Sequence, residues 1–129
     1  MTLSEEKEAI FSVGSNCGDR ESSVAAGLVW LSDILSEYRC SSIYATPDCH
    51  GGQKEYMNAV AIGSTILTPI DLNRLCKEYE LRCGRDSDAR IAGEVPIDID
   101  LVVYSGKVLR EKDFSREFFQ KGYRLLKDT

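Results

Sequence analysis

The hydrophobic and polar positions of this chain follow strand and helix periods in the order strand, helix, strand, strand, helix, strand. Residues 8–13 (EAIFSV) form a short β-type run that ends in the turn residues GSNCGDR, with Asp19 placed to cap a helix. Val24, Leu28, Leu31 and Leu35 then recur at i, i+4, i+7 and i+11, the apolar stripe of that helix. Residues 39–46 (RCSSIYAT) predict a second strand stopped by Pro47. A polar loop with two glycines comes next, and residues 56–67 (YMNAVAIGSTIL) predict a third strand, weakened by Gly63. Thr68-Pro69-Ile70-Asp71 is a helix start, with a hydroxyl at the N-cap, proline at the first helical position and a carboxylate at N3. The stripe Leu72, Leu75, Cys76, Tyr79 and Cys83 continues to Gly84, a helix-ending glycine. Residues 85–95 are polar and without period, which predicts a mobile surface loop. Residues 96–104 (PIDIDLVVY) predict the fourth strand, Ser105-Gly106 a turn, and residues 107–109 a short further strand. The tail, 112–129, is charged, and its Phe114, Phe118, Phe119, Tyr123, Leu125 and Leu126 predict an element that caps the core.

This order is that of a split βαβ unit. It predicts one α+β domain over residues 1–129, a ferredoxin-like βαββαβ sandwich whose antiparallel sheet has the helices packed on it. With 129 residues and 43% hydrophobic content, the chain is long enough for one proper core. A net charge of −5 argues against a nucleic-acid-binding surface, although an acidic protein still binds phosphates where metal ions supply the positive charge. The five cysteines, Cys17, Cys40, Cys49, Cys76 and Cys83, form no CxxC pair. With no signal-like segment at the start and no apolar run of membrane-spanning length, they predict reduced thiols in a cytoplasmic protein. His50 is the one histidine, which argues against a histidine-based metal cluster or a Ser-His-Asp triad. Cys49-His50 invites a nucleophile–base pair, but neighbours in a polar loop rarely hold that geometry.

The chemistry concentrates in the fourth strand. Side chains alternate along a strand, so Asp98 and Asp100 share one face while Ile97, Ile99 and Leu101 take the other. Their Cα atoms lie roughly 6.6 Å apart at a rise of about 3.3 Å per residue. At an effective dielectric of about 20, two such charges repel by about 2–3 kcal/mol. In a hydrophobic strand such a pair raises a pKa or recruits cations, and Mg²⁺ prefers carboxylate oxygens together with substrate phosphates. A solvated acidic face on an edge strand is the plainer alternative.

Several blocks together resemble the hydroxymethyldihydropterin pyrophosphokinase (HPPK) family of folate biosynthesis. These are GSNCGDR, SSIYATP, Gln53 with Tyr56-Met57-Asn58-Ala59-Val60, Glu80 with Gly84-Arg85, and Ile97-Asp98-Ile99-Asp100-Leu101, in family order over roughly residues 8 to 110. The resemblance implies transfer of pyrophosphate from ATP to the hydroxymethyl group of a reduced pterin, with release of AMP. It implies two Mg²⁺ ions held by Asp98 and Asp100, with Arg85 facing the phosphates as the third catalytic position. Thr46, Pro47, Tyr56, Asn58 and Tyr123 would bind pterin, and Glu80, Arg85 and Lys121 would bind ATP, with Arg90 added as an ATP-binding candidate by its place in the 85–95 loop. The implied partners are these small molecules, with no nucleic acid or membrane, in a monomer or weak dimer. Plain structural roles stand beside these: Asn58 in a turn, Tyr56 in the core, Arg85 as a charge at a helix C-terminus.

The chain also departs from the family pattern. Val95 stands where the family has an arginine and Ala92 where it has an aromatic, no histidine occurs after residue 50, and Lys121 replaces a common arginine. The C-terminal part reads as shortened. Arg90 in the 85–95 loop is a candidate substitute for the missing arginine, since the guanidinium fork is not reproduced by lysine. Three functions are compatible with these residues: an active pyrophosphokinase, a pseudoenzyme that binds nucleotide or pterin without transfer, and a ferredoxin-like interaction module.

Overall fold

Residues 7–15 become the central strand, β1 (Lys7–Ser15), of a computed structural model that describes residues 5–127. From Ala9 onward every residue of β1 is buried, because the strand is covered on both faces, and its sequence therefore runs apolar rather than alternating. After it come α1 (Arg20–Ile34), β2 (Ser36–Cys40), β3 (Tyr44–Thr46), β4 (Tyr56–Thr65) and α2 (Pro69–Arg82). The remainder is α3 (Ser87–Ile91), β5 (Asp98–Tyr104), β6 (Lys107–Val108), α4 (Glu111–Ser115) and α5 (Glu117–Lys127). The strands form one sheet in the order β2-β4-β1-β5-β6, with β3 also paired to β4, and all the ladders are antiparallel. The fold is thus α+β, with the expected βαββαβ core. No helix among the described residues is long and apolar enough to cross a membrane.

The two predicted N-caps form. Asp19 accepts the N–H of Ser22 at 3.1 Å, and the Thr68 hydroxyl accepts that of Asp71 at 3.2 Å with Pro69 in the first turn. The strand expected over 39–46 is instead broken in two. Ser41 donates its N–H to the Val60 carbonyl at 2.8 Å, while its hydroxyl accepts the Val60 N–H at 2.9 Å. A side chain thus takes a ladder position, and β2 and β3 lie end to end along the same edge of β4. The 85–95 stretch contains the single-turn helix α3, capped by Asp86, and its end is fastened to the turn after β1. The Asn16 N–H donates to the Val95 carbonyl at 3.0 Å, its side-chain oxygen accepts the Val95 N–H at 2.6 Å, and its amide reaches Gly93 at 3.2 Å.

Apolar side chains fill both faces of the sheet. On one face Phe11, Val13, Ala59, Ala61, Ile99 and Leu101 pack against Val24, Leu28 and Leu31 of α1 and Leu72 and Cys76 of α2. On the other, Ile10, Val60 and Val102 pack against Phe119 and Leu126 of α5, flanked by Phe114 and Tyr123. The charged tail is therefore a true core element. It seats closely because Gly122 has no side chain: a Cβ there would lie 2.5 Å from both the Tyr44 hydroxyl and Val60 Cγ2. The Tyr44 hydroxyl accepts the Gly122 N–H at 3.0 Å and donates to the Phe118 carbonyl, tying α5 to β3.

Candidate active site

The register of the three central strands builds the floor of the site. On the face that α5 covers, even-numbered positions point outward, and they change from apolar to polar toward one end of the sheet. Ser12 pairs with Val60 on one side and Asp100 on the other, and Gly14 pairs with Asn58 and Asp98. At about 4.8 Å between strands, Asn58 and Asp98 stand roughly 10 Å apart across Gly14. Gly14 keeps that floor open, since a Cβ would lie 2.9 Å from the Asn58 side-chain oxygen. The alternation expected for the fourth strand holds: Ile97, Ile99 and Leu101 enter the α1/α2 core, and Asp98 and Asp100 face the floor.

A cavity of about 160 Å³ stands on this floor. Its lining brings together Thr46, Pro47, Tyr56, Asn58, Asp98 and Asp100, all expected from the sequence, with Arg110, Asp113 and Phe118, which were not. Asn58 is 3% exposed, and its side-chain amide donates to the Thr46 hydroxyl, which fixes the carboxamide orientation. Tyr123, expected at this wall, stacks instead on Phe119 with ring centroids 5.5 Å apart, half-buried against the α5 core. Five residues along a helix rotate by roughly 500°, so Phe118 and Tyr123 diverge by about 140° and only Phe118 reaches the cavity. Cys49 and His50 line the mouth in a turn where Asp48 accepts the His50 N–H at 2.8 Å, and both are exposed.

Around the carboxylates lies a network of alternating charge. β5 is joined to β6 only at Val103 and Tyr104, so its edge at Ile99 is open, and Glu80 of α2 accepts the Ile99 N–H at 2.8 Å. Glu80 is 3% exposed and also meets Arg85 at 2.9 Å and Lys77 at 3.2 Å. Arg85 reaches Asp98 at 2.7 Å, Lys77 reaches Asp100 at 3.4 Å, and Arg110, paired with Asp113, stands 4.0 Å from Asp100. Burial pushes the Asp98 carboxyl up, but the hydrogen bond from Asp100 and the charge of Arg85 outweigh it and hold Asp98 below the usual carboxylate range. Burial and the charge of Asp98 act together on Asp100, pushing it up to about 7. Burial likewise raises the Tyr56 phenol, helped by Asp48 and Asp98.

Among the described residues no group of three or more His, Cys, Asp or Glu side chains forms a metal cage. Two adjacent carboxylates alone suit a hard cation that keeps waters and takes its other ligands from a bound phosphate, the usual habit of Mg²⁺.

The sequence profile described as 7,8-dihydro-6-hydroxymethylpterin-pyrophosphokinase (HPPK) matches residues 10–126. The chain belongs to the HPPK family. It is 31% identical over 101 residues to the 2-amino-4-hydroxy-6-hydroxymethyldihydropteridine pyrophosphokinase of Aquifex aeolicus, covering 78% of this chain and 62% of that protein. To a folate synthesis bifunctional protein of Arabidopsis thaliana it is 30% identical over 109 residues, 82% of this chain and 22% of the relative. The folic acid synthesis protein fol1 of Schizosaccharomyces pombe is 33% identical over 101 residues, 76% of this chain and 14% of the relative. The chain thus spans only part of each of these relatives.

In this HPPK chain a groove of about 460 Å³ lies on the other side of the carboxylates, against α2 and α3. Lys77, Glu80, Arg85, Asp86, Arg90, Glu94 and Val95 line it, so three of the expected ATP residues, Glu80, Arg85 and Arg90, do meet there, joined by a lysine that no sequence motif marked. Glu80 is engaged by its protein partners on both oxygens. Lys121 lies apart from these groups, its ammonium 5.3 Å from the centre of the Tyr44 ring. Val95 contributes an apolar wall to the groove, and Ala92 ends α3 exposed to solvent. A third depression, about 300 Å³, carries Ile70, Leu101, Leu109 and Arg110 beside Asp100.

Proposed function

We propose that this chain transfers pyrophosphate from ATP to the hydroxymethyl group of a reduced pterin, with AMP as the second product. The observation that carries this reading is the register that sets Asn58 and Asp98 on either side of Gly14, so that one floor holds both a recognition group and the carboxylates. The small polar cavity and an apolar shelf share Asp100, and a groove of mixed charge lies beside them, linked to the carboxylates through Arg85 and Lys77. The cavity is too small for a nucleotide and suits one flat heterocycle. The Asn58 carboxamide offers a donor and an acceptor to an amide-like ring edge, with Tyr56 and Phe118 available to its faces. Lys77, Arg85 and Arg90 are the groove's cations for a polyphosphate, standing among the carboxylates of Glu80, Asp86 and Glu94, and the shelf around Ile70, itself 80% exposed, suits a nucleobase.

In the reaction the pterin hydroxyl, giving up its proton to solvent, attacks the β-phosphorus, the bond from that phosphorus to the oxygen bridging to the α-phosphorus breaks, and AMP leaves with that oxygen. Asp98 and Asp100 would hold Mg²⁺ brought with the nucleotide, which would supply charge neutralisation for the triphosphate; the family resemblance implies two ions. The chain itself supplies positioning. Asn58 and Thr46 fix the heterocycle so that its hydroxymethyl arm points along the floor toward Asp98, and Arg85 holds Asp98 charged from the groove side. The five cysteines are free, in keeping with a reducing compartment such as the cytoplasm.

The experiment is AMP release from Mg–ATP with and without hydroxymethyldihydropterin, alongside Asp98→Asn. Pterin-dependent AMP that falls by at least about 10²-fold in the variant supports the transfer, since positioned charge contributes on that scale. A second reading, binding without transfer, is favoured by Val95 in the groove wall and by Ala92, which brings no aromatic ring toward the cavity. It predicts that Mg–ATP stabilises the wild type while no pterin-dependent AMP forms.

A further inference from the structure

Lys77 is the cation closest to Asp100. Its ammonium lies 3.4 Å from Asp100 and 3.2 Å from Glu80, and its side chain, 44% exposed, forms part of the wall of the groove that Arg85 and Arg90 also line. Glu80 does not depend on it, because Arg85 and the Ile99 N–H already occupy that carboxylate. Asp98 has its own partner in Arg85. Among the described cations, Asp100 is served by Lys77 and, at 4.0 Å, by an Arg110 that is itself committed to Asp113. The lysine thus stands on the boundary between the carboxylates and the groove, on a flexible stem able to face either way.

We propose that Lys77 is a tethered counter-ion that occupies the cation position at Asp100 in the ligand-free protein and turns to the polyphosphate when metal and nucleotide arrive. This rests on the reading of Asp98 and Asp100 as the metal–polyphosphate site. The physical consequence has two signs. Toward a bare divalent cation, Lys77 is a competitor, because its positive charge both occupies Asp100 and repels the ion. Toward the metal–nucleotide complex it is an attractive partner, because the anionic phosphates entering the groove offer it a new counter-charge as Asp100 is taken over. A lysine that merely braced the site would affect both ligands in the same direction.

The test is Lys77→Met, which keeps the stem and removes the charge, with Lys77→Arg as a charge-preserving companion and Asp100→Asn as the site control. Mn²⁺ binding is monitored by electron paramagnetic resonance, alone and with a non-hydrolysable ATP analogue, and AMP serves as the nucleotide without a polyphosphate. In Lys77→Met, free Mn²⁺ is expected to bind roughly three- to tenfold more tightly, and the Mn²⁺–ATP analogue roughly tenfold more weakly. Binding of AMP is expected to be unchanged, and Lys77→Arg to remain near wild type for the ATP analogue. If Lys77→Met shifts both ligands the same way, or neither, while Asp100→Asn still abolishes Mn²⁺–nucleotide binding, the role of Lys77 is overturned and the metal–polyphosphate site stands. If wild type and Asp100→Asn bind Mn²⁺–nucleotide alike, both are overturned.

Discussion

Asp100 sits where burial and the charge of Asp98 act in the same direction, which is why it, and not Asp98, holds a proton up to about 7. Its folded-state value lies above the ordinary 3.8, so folding favours the protonated form. The resulting stabilisation is complete below that ordinary value and is lost as pH rises through about 7. Metal-free wild type is therefore expected to lose more thermal stability than Asp100→Asn between about pH 4 and pH 8, measured as Tm across that series. Parallel slopes for the two proteins would contradict the assignment. At this scale the aspartate pair was legible because a two-residue period has one meaning in a strand. Lys77 and Phe118 were not, because each reaches the site from a helix distant in sequence, and nothing local to α2 or α5 reports which strand edge its side chains will face; Arg110 was not, because it returns to Asp100 only through the β5–β6 hairpin. Tyr123 was placed at the cavity wall by position alone; the helical turn beneath it rotates it against Phe119, on the flank of the core, and brings Phe118 forward.

At the scale of elements, the caps and stripes of α1 and α2 were readable because they rest on local hydrogen bonds and a regular period. The break between β2 and β3 was not, since it depends on the Ser41 hydroxyl replacing a ladder carbonyl opposite Val60. Nor was α5 legible as a helix: its stripe of Phe119, Gly122 and Leu126 gains meaning only once a second apolar sheet face needs cover. The tie between α5 and the sheet carries a prediction. Tyr44→Phe removes the hydroxyl that joins Phe118 and Gly122 to β3 and leaves buried backbone groups without it. It is expected to destabilise the protein by about 1–3 kcal/mol in urea unfolding. Because Phe118 is held by the same hydroxyl, pterin affinity should fall with it; unchanged stability and affinity would show that α5 is seated by apolar contact alone.

Across the whole molecule, the sheet separates two tasks. One face and the α1/α2 layer form the main core, while the α5 face stays apolar at one end and becomes polar at the other, where the cavity lies. Glu80 closes the open edge of β5 and in doing so brings Arg85 and Lys77 to the boundary between cavity and groove. The 85–95 segment, fastened to Asn16, completes the groove wall. The proposed transfer would have its two ligands meet over this one pair of carboxylates. The most direct test is ³¹P NMR of the wild type with Mg–ATP and hydroxymethyldihydropterin. Pyrophosphoryl transfer predicts AMP and a pterin diphosphate ester growing in equal amounts, with no accumulation of ADP. ADP or orthophosphate as the product, or no pterin-bound phosphorus while ATP remains bound, would contradict it.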